Sequence, residues 1–196
     1  MLYSKREIFN ELSEKIGKAF SKIPLSPNQW TFLSLILAVI TTYFIVYQNF
    51  VYATVFLFLV AFLDIVDGSV ARITKRTTKL GAYLDTVIDR VTEFLIIFGL
   101  FFVNFPDLLF PSKVWLLLLF FGSQMTTYVK AAASEKKLTE TELKGGILER
   151  PERLILMFLI VLLLNVSLKY SLYLLVITAL LANLTAVQRF YKASRQ

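Results

Sequence analysis

The chain has 196 residues, 57% of them hydrophobic, and a formal net charge of +7. It contains neither Cys nor His, which excludes disulfides, thiol nucleophiles and any histidine general base, so a base must come from Asp, Glu, Lys or Tyr. Several apolar runs come close to the ~20 residues that cross about 30 Å of hydrocarbon, so the positive charge reads as basic loops of a membrane protein and not as a nucleic-acid surface.

The periodicity predicts an all-α integral membrane protein with six transmembrane helices and an N-terminal amphipathic interfacial helix. Residues 1–23 carry Ile8, Phe9, Leu12, Ile16, Phe20 and Ile23 every three or four positions, with Lys5, Arg6, Lys15, Lys18 and Lys22 elsewhere around the helix. That pattern suits a helix lying among lipid headgroups; the alternative is a cap whose apolar face packs on the protein. No apolar leader is read at the N-terminus, which is charged and mixed.

Residues 24–196 form the second part, the transmembrane domain. Pro24-Leu25-Ser26-Pro27-Asn28 breaks the chain, and Ser26 or Asn28 can cap the next helix. The first span runs from about Asn28 to Tyr47. The second runs from Val51 to about Arg72, and residues 73–80 form a basic connection with Lys75, Arg76 and Lys79. Gly81 opens the third span, to about Phe105. The fourth covers about Lys113 to Ala133, and a polar stretch, 134–150, holds Gly145-Gly146. Pro151 precedes a short fifth span, about Glu152 to Leu164, and the sixth covers about Tyr170 to Arg189.

Six spans put both termini on one side. Of the 21 Lys and Arg, the opposite loops hold only Lys113 and Lys169. The charge-rich side is therefore read as cytoplasmic.

Four carboxylates stand out against the apolar runs. Asp64 and Asp67 end the second span; Asp85 and Asp89 begin the third. Both spacings put each pair on one helix face. Charge inside a membrane costs ~2.5–3.5 kcal/mol per group on insertion scales, so such a cluster marks a functional site. A short connection makes the two spans antiparallel neighbours and brings the acids together. Their repulsion calls for a divalent cation, and all-oxygen ligands favour Mg²⁺, Mn²⁺ or Ca²⁺ over zinc. Such a site suits a diphosphate, whose leaving group gathers charge. Gly68 admits a close approach beside Asp67. Arg72, four residues on, is placed to grip a phosphate.

The string Asp64-x-x-Asp67-Gly68-x-x-Ala71-Arg72-x₈-Gly81-x₃-Asp85-x₃-Asp89 resembles the CDP-alcohol phosphotransferase signature at every fixed position. The resemblance implies a membrane enzyme that displaces CMP from a CDP-linked lipid with an alcohol, using Mg²⁺ or Mn²⁺, and that forms a homodimer. It implies metal binding by Asp64, Asp67, Asp85 and Asp89, with Asp89 as the base for the acceptor hydroxyl. The CDP-lipid would lie against Pro27, Asn28, Thr31, Asp64, Gly68, Arg72, Thr78 and Gly81.

Lys130, Arg150, Arg153 and Arg189 end or begin spans on the cytoplasmic side and are read as a ring around an anionic acceptor headgroup. The strings Tyr128-Val129-Lys130-Ala131, Glu149-Arg150-Pro151-Glu152-Arg153 and Val187-Gln188-Arg189 resemble the branch that makes phosphatidylinositol phosphate or archaetidylinositol phosphate. That branch implies inositol 1-phosphate as the acceptor. Glycerol 3-phosphate is the alternative, with serine or free inositol ranked lower because they need less positive charge. A divalent-cation transporter would also use four acids, but no inverted repeat or broken pair of helices is visible.

Overall fold

The structure is a computed structural model that describes residues 6–138 and 145–195. Within them the chain is all-helical, with no sheet. The helices are α1 (Arg6–Phe20), α2 (Pro27–Val46), α3 (Phe50–Ile73), α4 (Lys79–Leu100), α5 (Ser112–Glu135), α6 (Arg150–Leu164) and α7 (Leu168–Ala193). Lys5, the 139–144 part of the polar stretch, and the side chains of Arg6, Ile8, Phe9 and Leu12 lie outside the described residues.

The helix boundaries follow local chemistry. At α2, Ser26 accepts from the Gln29 amide while the Gln29 side chain accepts from the Ser26 amide at 2.7 Å. Ser26 is thus the cap, and Asn28 lies within the first turn. At α4 the start is Lys79, two residues before the expected Gly81, because the Thr78 hydroxyl caps the Gly81 amide at 2.9 Å. The same helix ends at Leu100, earlier than Phe105, where the amides of Phe102 and Val103 turn back to Gly99 and Leu100. The α3–α4 connection reverses through Lys75, whose φ of 54° is left-handed.

Helices α2, α3 and α7 are long and apolar enough to cross a membrane. Helix α4 is diluted by its own charges, and α6, at 15 residues, spans only about 22 Å. α5 packs along α7, α2 against α3 and α4, and α6 against α3 and α7. Small residues make these approaches possible. A Cβ added at Gly122 of α5 would lie 2.7 Å from the Asn183 amide nitrogen of α7. The Asn183 side chain in turn donates to the Leu118 carbonyl at 2.7 Å. The outer face is apolar, with Phe94 and Phe98 of α4 and Phe102 just beyond its end forming an exposed aromatic row.

Helix α1 packs on the ends of α2 and α3. Ile16 and Phe20 join Trp30, Leu63, Val66 and Val70 in one cluster. Gly17 lets α1 approach α3 so closely that a Cβ there would meet Ser69 O at 2.7 Å. The charged side, with the Lys15–Glu11 and Lys18–Glu14 pairs, faces outward. The described part of the apolar face thus covers protein.

Candidate active site

The Lys75 reversal brings the C-terminal end of α3 to the N-terminal end of α4. Asp64, Asp85 and Asp89 each offer a carboxylate oxygen within 4.8 Å of the others. Three carboxylates so close repel one another strongly in a low dielectric, and the donor set is oxygen only. That chemistry fits a hard divalent cation. Asp67 is engaged differently: it accepts from the Thr31 hydroxyl at 2.7 Å and from the Gly68 amide at 2.5 Å, and is 5% exposed. It faces the neighbouring cleft.

That cleft, of about 170 Å³, opens between the ends of α2, α3 and α4. Pro27, Asn28, Thr31, Gly68, Arg72, Thr78 and Gly81 all line it, beside Asp67 and Asp85. Every residue expected to contact the CDP-lipid is therefore on its wall except Asp64, which stands with Asp85 and Asp89. Gly81 is tight against the wall: a Cβ there would lie 3.1 Å from both the Asn28 side-chain oxygen and the Thr78 hydroxyl. Arg76 and Thr77 also line the cleft; the sequence marked Arg76 only as loop charge. Arg72 is steered by groups that no local pattern indicates. Its guanidinium donates to Ser13 Oγ of α1 at 2.7 Å, and Ser13 meets Ser69 at 2.8 Å.

The basic residues divide into two kinds. Arg150 reaches the acid cluster itself, donating through both terminal nitrogens to Asp64 at 2.8 and 2.6 Å and pairing with Asp89. Arg189 donates to the Gly145 and Thr126 carbonyls at 3.1 and 2.9 Å and lies 3.9 Å from Glu149, next to Arg150 in the chain. Lys130 is half-buried near the end of α5. Arg153 departs from the expected ring. It is 1% exposed and turned inward to Glu93, whose Oε1 it meets at 3.1 Å. With its side chain 1% exposed, against 23% for Arg150, it does not face an open headgroup pocket. Glu93, the third acid on α4, was not singled out by the sequence, although it lies one turn beyond Asp89.

The family model for CDP-alcohol phosphatidyltransferase matches residues 24–187. This chain belongs to that family. It is a transferase, and its long apolar helices make it a membrane enzyme. Over 196 residues it is 33% identical to an archaetidylinositol phosphate synthase of Pyrococcus horikoshii, covering all of this chain and 98% of that one. It is 34% identical to a phosphatidylinositol phosphate synthase of Corynebacterium glutamicum over 72% of this chain and 65% of the relative. The fold is shared with the crystal structure of Mycobacterium tuberculosis phosphatidylinositol phosphate synthase with CDP-DAG bound. There the TM-score is 0.80 at 22% identity, covering 93% of this chain and 94% of the other. The crystal structure of that synthase with manganese and citrate gives a TM-score of 0.81 at 23% identity, over 93% and 88% of the two chains.

Proposed function

We propose that this enzyme transfers the phosphatidyl or archaetidyl group of a CDP-linked lipid to inositol 1-phosphate and releases CMP. The observation that carries the reading is the contact of Arg150 with Asp64 and Asp89. A fixed cation, suited to a phosphate, stands directly at the carboxylates on the edge of a cleft walled by the signature residues. The names of the relatives, phosphatidylinositol and archaetidylinositol phosphate synthases, point the same way.

Asp64, Asp67, Asp85 and Asp89 would hold Mg²⁺ or Mn²⁺, which supplies charge neutralisation at the diphosphate. Pro27, Asn28, Thr31, Gly68, Thr78 and Gly81 seat the cytidine and diphosphate, and Arg72 grips a phosphate oxygen. Asp89 accepts the proton of the acceptor hydroxyl. The freed oxygen bonds to the lipid-bearing phosphorus, the bridging P–O bond breaks, and its electron pair leaves with CMP. Lys130, Arg150 and Arg189 hold the acceptor's phosphate and so aim its hydroxyl at that phosphorus. In this reading residues 24–196 form a six-span transmembrane domain with its acids facing the cytoplasm. Residues 1–23 hold a helix at the membrane interface whose apolar face covers the ends of α2 and α3, and the enzyme is a homodimer.

The test is CMP release by purified enzyme from CDP-diacylglycerol and CDP-archaeol, with inositol 1-phosphate, glycerol 3-phosphate, serine and inositol offered in parallel. Inositol 1-phosphate is expected to give the highest kcat/KM, and chelator to stop the reaction until Mg²⁺ or Mn²⁺ is restored. A preference for glycerol 3-phosphate would replace the acceptor; full turnover in chelator would remove the metal-assisted mechanism.

A further inference from the structure

One turn behind the reacting acids lies a second set of charges that the proposed reaction does not use. Arg153 Nε and a terminal nitrogen both donate to Glu93 Oε1, at 3.2 and 3.1 Å. Its other terminal nitrogen reaches Thr126 Oγ1 of α5 at 3.1 Å and the Leu148 carbonyl at 3.3 Å. Arg90 meets Glu93 Oε2 at 3.0 Å and donates to Thr127 of α5 at 2.8 Å. Glu93 and Arg153 are each 1% exposed.

Stability is a poor reason for such a pair. Removing two charges from water costs several kcal/mol per ion, and well-packed apolar side chains of similar volume often serve as well or better. What an arginine fork offers instead is direction, because its donors are rigid and planar. The direction here is specific. Glu93 lies four residues after Asp89 on α4, and Arg153 three after Arg150 on α6, so each member stands on the same helix face as a member of the site. The start of α6 needs such an anchor. It comes just after Gly145 and Gly146, both with positive φ (93° and 140°), and its packing partners are α3 and α7. The Glu93–Arg153 bond joins α6 directly to α4, and the bond to Leu148 closes the approach to α6.

We propose that Glu93 and Arg153 are positioning residues: their buried pair fixes the first turn of α6 against α4, so that Arg150 stands over Asp89 at the angle needed to receive an acceptor phosphate. The inference rests on the acceptor reading of the proposed function. It assigns the pair to acceptor capture and not to the CDP-lipid cleft, whose walls come from α2, α3, α4 and the connection between the last two.

The test is the paired substitution Glu93→Gln with Arg153→Met in the full-length enzyme. It removes both charges together, and the glutamine keeps its oxygen beside Arg90, which keeps its own bond to Thr127. A displaced Arg150 raises the KM for inositol 1-phosphate at least about tenfold, within the ~10²-fold that a misplacement of about 1 Å can cost. The KM for the CDP-lipid rises by less, within about threefold, because Asp64 alone among its expected contacts touches Arg150. Arg153→Lys, which keeps the charge toward Glu93 but loses the fork, is the second variant. It shows the same one-sided rise at a smaller size, and thermal unfolding in detergent establishes that it is folded. Unaltered acceptor KM in a folded variant overturns the inference, as does an equal rise for both substrates. A wild-type enzyme that turns over no phosphorylated polyol sinks the acceptor reading instead, so the two failures are distinguishable.

Discussion

At the scale of single residues, the proposed chemistry rests on Asp89. It is 7% exposed, stands with Asp64 and Asp85, and pairs with Arg150. Asp89→Asn preserves shape and removes the proton acceptor. Turnover in the CMP-release assay is expected to fall by about 10²–10⁴-fold, the range for losing a positioned base. CDP-lipid binding, measured by calorimetry, is expected to persist; loss of binding with normal turnover of bound substrate would contradict the role. The spacing of the acids along two helices makes their convergence legible from sequence, since each pair must share a face. Arg153 illustrates the opposite case. Its position three residues from Arg150 places it on the same face, but Glu93, 60 residues away in the chain, decides that its guanidinium turns inward.

At the scale of elements, the helices are positioned by caps and by close approaches. The Ser26–Gln29 box and the Thr78 cap fix where α2 and α4 begin. Both put cleft residues, Asn28 and Gly81, in a first turn. Short-range signals of this kind can be read from the chain, and Thr78 three residues before Gly81 is such a signal. Close approaches are less legible, because a glycine in an apolar run does not name its partner. Gly122 is the tightest of these between two long helices. Gly122→Leu inserts a side chain where even a Cβ meets the Asn183 nitrogen and the Ala182 carbonyl carbon, at 2.7 and 2.9 Å. The expected loss is about 1–3 kcal/mol, the usual cost of overpacking. Thermal unfolding in detergent would reveal it as a lowered Tm; an unchanged Tm would show that α5 and α7 separate freely.

Over the whole molecule, the proposed orientation rests on the distribution of charge. Lys113 and Lys169 stand apart from the other basic residues, and the acids lie at the basic side. The absence of cysteine makes this testable by labelling. Lys79→Cys and Lys169→Cys, each at an exposed position, would be treated in sealed spheroplasts with an impermeant maleimide. Lys169→Cys is expected to react from outside, and Lys79→Cys only after permeabilisation. Labelling of both from one side would overturn the six-span arrangement with cytoplasm-facing acids. The packing of α1 belongs to this scale too. Ser13, delivered by α1, holds Arg72 toward the cleft, so the N-terminal segment contributes to the site as well as to its surroundings.

The chain by itself determined the helical membrane class, the acid pairs, the residues that line the cleft beside them and the asymmetry of charge. Each comes from spacing along one helix, from composition or from a local motif. Tertiary structure alone decided which groups meet across helices: Arg150 with Asp64 and Asp89, Arg72 with Ser13, and Arg153 with Glu93. Side-chain direction in a packed interior depends on partners far away in sequence, and only the folded chain brings those partners within hydrogen-bonding distance.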